Sequence, residues 1–357
     1  MNVNPLKITP ILESYGIHKD SLVEPLNSGL INRTWKVTDG DKQFILQQIN
    51  NNVFKKPYEV AANIRMINEY LKKHSPSYLF VSPIPNKDNE DIFFERERGY
   101  FRLFPFIKGS HTIDIVTTPD LAHEAAYQFG KFTQLLSRFE VDRLNITIPD
   151  FHNLTLRYEQ FETSLRLGNV DRIRESEALV AEIKKRTSIV DEFEMIKRSK
   201  EVRLRVMHHD TKISNVLFDN AGKGMCVIDL DTIMPGYFIS DVGDMMRTYL
   251  SPANEEVSDF SRIDVREDFF RGIVQGYISA MEHELTGEER RLILYSGLFL
   301  IYMQAIRFLT DHFNDDIYYG AKYEKHNYIR AGNQIALLKK MEDKKDILQE
   351  IIRSEQR

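Results

Sequence analysis

The spacing of the apolar residues changes near residue 108, and this change limits the folds open to the chain more than any other feature. Before it, segments rich in β-branched and aromatic residues favour strands over residues 22–27, 33–37, 43–49, 91–97 and 99–107. One segment in this part, residues 57–74, repeats its apolar residues at helical spacing. We therefore predict a small sheet with one helix inserted after its third strand.

Beyond residue 108 the sequence is mostly helical. We predict helices within residues 120–139, 154–198, 264–284, 292–306 and 331–357. The segment 292–306 is strongly apolar, but its fifteen residues are too few to span a membrane, so we expect a buried core helix. Thr286 and Glu289 precede it with the spacing of a capping box, which marks a helix start. The predicted fold class is therefore α+β.

These two parts of the chain form two predicted lobes. Residues 1–103 are a β-rich N-terminal lobe with one main helix, residues 104–108 are a hinge, and residues 109–357 are a larger, mostly helical C-terminal lobe. At 357 residues the chain is long enough for each lobe to bury a sizeable core. We find no internal repeat and no low-complexity linker in the sequence.

The composition narrows the classes of partner. The formal net charge of −5 argues against a dedicated nucleic-acid binder, which would show a basic stripe or domain. The single cysteine, Cys226, excludes internal disulfides and fits a reducing compartment. The N-terminal segment lacks the basic start and apolar core of a signal peptide. We therefore expect a cytoplasmic protein that acts on small molecules rather than on nucleic acid or membranes.

Polar residues are concentrated in two neighbouring segments, "VMHHDTKISNVLFD" (206–219) and "CVIDLDTIMPG" (226–236). Polar groups so dense beside apolar strands are costly to bury unless they bind something. Phosphoryl transfer requires a carboxylate near the acceptor hydroxyl, ligands for Mg²⁺ and a cradle for the phosphates. Asp210 would face the hydroxyl, and Asn215 and Asp229 would hold Mg²⁺ through the oxygen ligands that this ion prefers.

Two further residues complete the predicted catalytic loop. His208 would brace the loop by hydrogen bonds, and Lys212 would neutralise charge on the transferring phosphoryl group. Taken singly, such residues have simpler explanations, because Asp and Asn often form turns or helix caps, and His208 to Asp210 could belong to a metal site. The ordered set, with a strand on either side, favours a kinase-type site.

In this order the residues resemble a known family. "HHDTKISN" followed by "VIDLD" resembles the aminoglycoside phosphotransferase-like kinases, whose pattern is H-x-D-x-x-x-x-N and then I-D-x-[DE]. Within that superfamily the chain is similar to the N-acetylhexosamine 1-kinases, in "DVGDMMR", "IRFLTDHFNDDIYY", "INRTWKV", "FILQQIN" and "KYEKHN". The resemblance runs along essentially the whole chain, and it implies a bilobal protein-kinase-like fold that uses ATP and Mg²⁺.

The substrate implied by the resemblance is an amino sugar. The residues predicted to bind it are Asp210, Asp231, Thr232, Arg247 and Arg307. Both arginines have a structural alternative, since Arg307 could pair with Asp311, and Arg247 with Asp241 or Asp244. We expect the two aspartates of "DVGD" to stabilise the catalytic loop rather than to contact substrate.

The predicted nucleotide site lies in the first lobe. A loop at residues 27–37 would cover the phosphates with backbone amides, and residues 104–107 would frame the adenine. The residues predicted to contact ATP are Ser28, Gly29, Asn32, Gln47, Phe104, Phe106 and Ile107. Kinases of this shape usually carry Lys or Arg on the third strand, whereas this chain has Gln47 in "ILQQ", as the N-acetylhexosamine 1-kinases do. The alternatives are a plain turn for residues 27–37 and core packing for residues 104–107.

Three functions are consistent with these residues. The first is ATP-dependent phosphorylation of the anomeric hydroxyl of GlcNAc or GalNAc, with Asp210 as the base and the acetamido group in a recess along Gly297 to Ala305. The second is a kinase for choline, homoserine or an aminoglycoside, for which a choline site requires an aromatic cage and an aminoglycoside site an acidic cleft. The third is a non-catalytic nucleotide-binding module.

Overall fold

The structure, a computed structural model, describes residues 8–26 and 31–356. The backbone divides into two compact units. Unit 1 contains the described residues up to His111, together with Arg138–Pro149 and Leu217–Pro235, and unit 2 contains Thr112–Ser137, Asp150–Val216 and the described residues from Gly236 onward. The first continuous segment of unit 1 ends close to the predicted hinge, and two later segments join it. The functions of the two predicted lobes remain predictions.

Unit 1 is organised around a five-stranded antiparallel sheet of order β1-β2-β3-β5-β4. Its strands are β1 (Leu22–Leu26), β2 (Arg33–Asp39), β3 (Lys42–Gln48), β4 (Phe93–Glu95) and β5 (Gly99–Pro105). The register between β3 and β5 places Gln47 opposite Arg102. All five predicted strands are confirmed within a few residues. Along β2 the buried Trp35 and Val37 alternate with more exposed residues, as expected for a strand with one face on the core.

Two helices belong to unit 1 together with this sheet. They are α1 (Thr9–Ser14) and α2 (Pro57–His74). The core around α1 consists of Ile8, Ile11, Leu12, Ile17, Trp35, Val37, Leu46, Phe101 and Leu103. The predicted helix after the third strand is confirmed as α2, which begins with Pro57 where a missing N–H costs nothing, and ends with three basic side chains. Its buried Asn63 donates hydrogen bonds to the carbonyl oxygens of Asn145 and Ile233.

The remaining strands are short. They are β6 (Ser110–His111), β7 (Arg205–Met207), β8 (Val216–Asp219), β9 (Gly224–Val227) and β10 (Met234–Gly236). The residues predicted for chemistry lie between β7 and β8 and between β9 and β10. Strands β6, β8 and β9 form a small sheet in that order. The chain leaves β9 and reaches Asp229, so this sheet fixes where the second polar segment begins.

Unit 2 is built from helices. They are α3 (Pro119–Leu135), α4 (Leu154–Leu167), α5 (Val170–Glu175), α6 (Glu177–Lys184), α7 (Ser188–Arg198), α8 (Ile239–Tyr249), α9 (Glu267–Met281), α10 (Gly287–Arg291), α11 (Ile293–Phe313), α12 (His326–Asp343) and α13 (Lys345–Glu355). Helix α9 packs closely on α3, where a Cβ at Gly276 would lie 2.1 Å from the carbonyl oxygen of His123. Helix α11 packs against α4, α8 and α12.

Helix α11 contains the apolar segment that we predicted as a core helix. It is long and apolar enough to cross a membrane, but 72% of its most apolar stretch is buried inside the protein. The prediction of a buried helix is confirmed, although the helix extends to Phe313 and therefore does not end at Arg307.

Three helix boundaries differ from the prediction. The capping box of Thr286 and Glu289 is present, but it opens the short helix α10, and the chain turns at Leu292 before α11 begins. Residues 154–198 form four helices, of which α4 and α5 are capped at their N-termini by Asn153 and Asn169. The single helix predicted from residue 331 onward is divided into two, because α12 ends at Asp343 and α13 (Lys345–Glu355) follows at once.

Candidate functional site

The predicted catalytic loop follows β7 and ends in a one-turn 3₁₀ helix, Ile213–Asn215. The Nζ atom of Lys212 lies 3.0 Å from Oδ2 of Asp210, whose side chain is 29% exposed. The side-chain amide of Asn215 donates a hydrogen bond of 2.9 Å to the backbone carbonyl of Asp210. This contact holds the side chain of Asn215 against the loop backbone. The loop thus brings together a carboxylate, an ammonium group and an amide oxygen.

Two buried carboxylates of α8 hold this loop. Asp241 accepts the backbone N–H groups of His208 at 3.0 Å and His209 at 2.8 Å. Asp244 accepts the N–H of Thr211 at 2.8 Å. Buried backbone donors need such partners, so the "DVGD" aspartates stabilise the loop as expected. Within the loop, Nδ1 of His208 accepts the N–H of Asp210 at 3.4 Å.

His209 occupies a strained position immediately before Asp210. Its φ of +66° lies in the left-handed region, a backbone conformation that residues other than glycine seldom adopt. Its ring is packed so closely against Gly236 that a Cβ there would lie 2.4 Å from the ring. The two hydrogen bonds to Asp241 and this contact therefore impose the backbone conformation that presents Asp210.

The carboxylates that brace the loop are themselves electrostatically perturbed. Burial raises the pKa of Asp241 to about 7, against the opposing effect of the two N–H groups. Burial also raises the pKa of Asp244, which the Arg247 guanidinium opposes. Arg247, predicted to bind substrate, donates from Nε and Nη2 to Asp244 and from Nη1 to Glu255. The structure thus contains the alternative considered for Arg247, a pairing with Asp244.

Arg307 lines a cavity of about 590 Å³ within unit 2. Residues of α4, α11 and the segment after α11 form its walls, including Arg157, Thr310, Asn314, Tyr318 and Tyr319. Arg307 donates hydrogen bonds to Gln304 at 3.2 Å and to the Tyr318 hydroxyl at 3.4 Å. Its guanidinium also lies 5.4 to 5.9 Å from the ring centres of Phe151, Tyr318 and Tyr319.

Asp311, the partner that the sequence suggested for Arg307, has a different role. Its two oxygens accept the backbone N–H groups of Tyr318 at 2.8 Å and Tyr319 at 2.9 Å. Asp311 therefore shapes the tyrosine segment of the cavity wall. The Gly297 to Ala305 face, proposed as one wall of an acetamido recess, stays a prediction; Gly297 itself packs against Met246 and Met341.

A line of contacts connects this cavity wall to the catalytic loop. The Nδ1 atoms of His152 and His209 lie 3.4 Å apart, and the ring of Phe151 stacks on that of His152. Phe151 in turn faces Arg307. Burial, followed by the nearby His209 and Arg307, lowers the pKa of His152 well below its usual value. A neutral His152 therefore lies between Asp210's neighbour and the cavity.

In unit 1, Asp229 precedes a one-turn 3₁₀ helix, Leu230–Thr232. Asp229 has a left-handed backbone with φ +61°. Oδ1 of Asp231 lies 2.5 Å from Nη1 of Arg102, and both side chains are 2% exposed. Oδ2 of Asp231 accepts a hydrogen bond of 2.9 Å from Asn32. Asp231, predicted to bind substrate, is thus part of a buried ion pair, and Thr232 beside it is buried.

The predicted ATP contacts are only partly described. Ser28 and Gly29 lie outside the described residues. Gln47 accepts two hydrogen bonds from Arg102, at 3.1 Å from Nε and 2.8 Å from Nη2. At the end of β5, Phe104, Phe106 and Ile107 are half-buried, and the N–H of Phe106 donates to Gln43 at 3.2 Å. Their assignment to adenine stays a prediction.

Two residues of these networks were missed in the sequence. Arg102 stands in the apolar strand "YFRLF", and a lone arginine among aromatic residues is a signal for a buried ion pair, since guanidinium groups are seldom buried unpaired. His152 carries no such signal, because it reaches His209 through a contact between residues 57 positions apart.

The small β-rich sheet, the helical C-terminal part and the braced loop define a kinase-like phosphotransferase. The sequence model described as "Phosphotransferase enzyme family" matches residues 22–283, and the chain belongs to that family. This confirms the superfamily expected from the sequence and leaves its N-acetylhexosamine branch as a proposal.

Solved structures are similar in fold. A microcompartment-associated aminopropanol kinase has a TM-score of 0.69 and 13% identity, and the match covers 96% of this chain and 98% of that chain. An amicoumacin kinase in complex with AMP-PNP and Ca²⁺ has a TM-score of 0.63 and 15% identity over 96% and 94%. An ethanolamine kinase from Plasmodium vivax has a TM-score of 0.56 and 13% identity over 93% and 84%. The predicted α+β fold class is confirmed.

Proposed function

We propose that the protein is an ATP-dependent kinase that phosphorylates the anomeric hydroxyl of an N-acetylhexosamine. The observation that carries the proposal is the Asp210 loop, anchored by Asp241 and Asp244 and connected through His209 and His152 to the cavity at Arg307. This arrangement supports a small neutral substrate placed between a carboxylate and a guanidinium. The choice of sugar rests on the sequence resemblance to the N-acetylhexosamine 1-kinases.

Asp210 is proposed as the base. It accepts the proton of the anomeric hydroxyl, whose oxygen forms a bond to the γ-phosphorus while the bond to the bridging oxygen of ADP breaks. An anomeric hydroxyl is more acidic than an ordinary alcohol, so one carboxylate suffices. Lys212, 3.0 Å from Asp210, carries the charge needed to stabilise the phosphoryl group in transfer.

Asn215 and Asp229 are the proposed ligands of Mg²⁺. Their donors are an amide oxygen and a carboxylate, which are the hard oxygen ligands that Mg²⁺ prefers. Asn215 fits this role, because its NH₂ group donates to the Asp210 carbonyl, so its amide oxygen is not used in that contact. When bound, Mg²⁺ neutralises the charge of the β- and γ-phosphates. The assignment of both residues to one ion rests on the sequence pattern, since they belong to different units.

ATP is proposed to bind to unit 1. The contacts assigned to it are the loop that contains Ser28, Gly29 and Asn32, and the adenine frame at Phe104, Phe106 and Ile107. Asn32 supports this assignment, because it stands at the edge of the loop and contacts Asp231 directly after the proposed metal ligand.

The sugar is proposed to contact Arg307 and Asp210 directly. A guanidinium with free N–H groups binds hydroxyl oxygens well, and the tyrosine rings beside it offer apolar faces to a sugar ring. Thr232 keeps its proposed substrate contact. The charge of Asp231 is paired with Arg102, and that of Arg247 with Asp244. We propose that these two residues position the groups that contact the substrate.

A kinase of a small amino alcohol is the second candidate. The fold likeness to aminopropanol and ethanolamine kinases supports it. The cavity argues against it, because Arg307 already faces the aromatic rings that an ammonium group would need, and Arg157 lines the same cavity. Burial and the nearby Arg307 lower the pKa of Arg157. Glu159 and Asp311 also line the cavity, so its wall carries both charges and the substrate assay decides between the two candidates.

A coupled ATP-turnover assay tests the proposal. The purified chain is assayed with GlcNAc, GalNAc, glucose, galactose, choline, ethanolamine and kanamycin at equal concentrations. We expect turnover with both N-acetylhexosamines and slower turnover with plain hexoses, since a group that only fills a pocket changes rates by roughly 10- to 200-fold. Preferred turnover of choline or ethanolamine would replace the sugar by an amino alcohol. ATP binding without turnover of any acceptor would favour a nucleotide-binding module.

A further inference from the structure

The third strand of unit 1 lacks the cation that grips nucleotide phosphates in most kinases of this shape, and the neighbouring strand carries one instead. Arg102 of β5 lies opposite Gln47 of β3 in the sheet register. Residues that face each other across antiparallel strands have their side chains on the same side of the sheet. The positive charge usually found on the third strand is therefore carried here by Arg102, on the strand next to it and directly opposite position 47.

Gln47 orients this cation rather than replacing it. Its Oε1 atom accepts hydrogen bonds from Nε and Nη2 of Arg102, at 3.1 and 2.8 Å. A lysine at position 47 would place a second positive charge against the Arg102 guanidinium. A neutral acceptor at position 47 and an arginine at position 102 are thus complementary.

The Arg102 guanidinium reaches Asp231 on its other side. The ion pair is 2.5 Å long and almost fully buried. A buried carboxylate that loses its cation becomes an uncompensated charge, so Arg102 controls where Asp231 can lie. Asp231 is two residues after Asp229, in the 3₁₀ turn that begins at Leu230. The position of the proposed metal ligand is therefore coupled to Arg102 through a short piece of backbone.

The network continues to the proposed phosphate loop. Asn32 donates to Oδ2 of Asp231 at 2.9 Å and accepts the N–H of Asn50 at 3.0 Å. Asn32 is separated from residues 27–30 by Ile31 alone and directly precedes β2. The three side chains of Arg102, Asp231 and Asn32 therefore connect the sheet, the Asp229 turn and the end of the loop.

We propose that Arg102 is a positioning residue for the metal–nucleotide complex, and that its ion pair with Asp231 takes the place of the lysine–carboxylate pair found in other kinases of this shape. This inference rests on the proposed ATP binding by unit 1. Arg102 acts through Asp231, which in turn contacts Asn32, because the Arg102 side chain is buried and paired with Asp231. Only a planar guanidinium contacts Gln47 and Asp231 together, so lysine is a partial substitute.

Calorimetric titration of the full chain with AMP-PNP and Mg²⁺ tests the inference. Arg102→Gln is expected to weaken nucleotide affinity about 10- to 100-fold, the usual effect of losing a residue that orients metal ligands. KM for ATP should rise more than kcat falls. The double variant Gln47→Lys/Arg102→Gln returns a cation to the third strand, opposite position 102, and is expected to recover most of the affinity. Arg65→Ala removes a surface ion pair with Asp91 and should have no effect.

The outcomes separate the inference from the proposed function. Failure of the unsubstituted protein to bind nucleotide contradicts the proposed function itself. Unchanged affinity in a folded Arg102→Gln variant, or no recovery in the double variant, contradicts the role of Arg102. If thermal unfolding shows that Arg102→Gln does not fold, Arg102→Lys decides, because it keeps a cation beside Asp231 and loses the planar contact to Gln47. Weaker nucleotide binding by folded Arg102→Lys supports the network, and unchanged binding refutes it.

Discussion

Asp241 accepts the backbone N–H of His209 at 2.8 Å, and through this contact a carboxylate of helix α8 holds the left-handed residue that precedes Asp210. The second oxygen of Asp241 accepts the N–H of His208. A single buried carboxylate thus fixes two consecutive peptide groups. The orientation of Asp210 depends on a residue that has no direct contact with substrate in the proposed mechanism.

Asp210→Asn tests the proposed base. The amide keeps the size of the side chain and loses the proton acceptor, so we expect kcat to fall by roughly 100-fold or more. Nucleotide affinity should change little. Steady-state kinetics and a nucleotide titration measure the two effects, and the exposed Asp343→Asn is the matched control. Near-normal turnover in folded Asp210→Asn protein would remove Asp210 from the mechanism.

Asp241→Asn tests the brace. Asparagine can accept from only one of the two N–H groups and places its own NH₂ group against the other, so we expect a misplaced loop and a large loss of kcat. Hydrogen exchange at the amides of His208 and His209 should become faster while the core helices stay protected. Full activity with unchanged exchange would mean that the loop holds its conformation without Asp241.

The raised pKa of Asp241 also predicts how stability depends on pH. In the unfolded chain this carboxyl titrates near its ordinary value, whereas in the folded protein its pKa is about 7. Between these values the folded state binds the extra proton, so this group lowers the free energy of unfolding as the pH rises towards 7. The full effect is on the order of 4 kcal/mol.

Urea unfolding of the wild type and Asp241→Asn at about pH 4.5 and about pH 7.5 measures this contribution. The variant should gain in stability relative to the wild type as the pH rises, because it lacks the ionisation that opposes folding. Asp343→Asn should follow the wild type at both pH values. A constant difference between wild type and Asp241→Asn would contradict the raised pKa.

Asp229→Ala tests the metal assignment. Loss of an anionic ligand should weaken the Mg²⁺-dependent part of nucleotide binding and leave binding without metal nearly unchanged. Calorimetry with and without Mg²⁺ gives both values. Asp41→Ala, on the exposed turn between β2 and β3, is the control in the same unit. If the Mg²⁺ dependence is unchanged, the metal ligand is another carboxylate.

Arg307→Ala tests the sugar contact. Loss of a charged hydrogen-bond donor should raise KM for the N-acetylhexosamine by roughly 10- to 100-fold with a smaller effect on KM for ATP. The exposed Arg262→Ala should behave like the wild type. Equal effects on both substrates would place Arg307 in the structure of unit 2 rather than in the sugar site.

Local patterns in the sequence predicted most of the elements. The strands around Trp35 and Phe101 and the helix that begins at Pro57 follow from alternating or helical apolar spacing, which depends on near neighbours only. The short turns that break the helices after Glu175 and at Leu292 were missed, since the apolar stripe continues across them. Capping residues such as Asn169 mark these breaks only weakly.

The sequence predicted the loop residues of the candidate site, but not the contacts that hold the residues around them in place. Asp210, Asn215 and Asp229 stand at fixed spacing in two short segments, so sequence order suffices to select them. The partner of Asp231 is Arg102, on a strand 129 positions earlier in the chain, and only the folded sheet brings the two together. The same holds for Asp311, whose choice of the Tyr318 amide over Arg307 depends on the path of the segment after α11.

The most direct measurement is phosphorus NMR of the product formed from ATP and GlcNAc. For an N-acetylhexosamine 1-kinase we expect a phosphate monoester signal coupled to the anomeric proton, together with ADP. Asp210→Asn should form no such product. A signal coupled to the protons at carbon 6, or a faster reaction with choline than with either N-acetylhexosamine under the same conditions, would contradict this assignment.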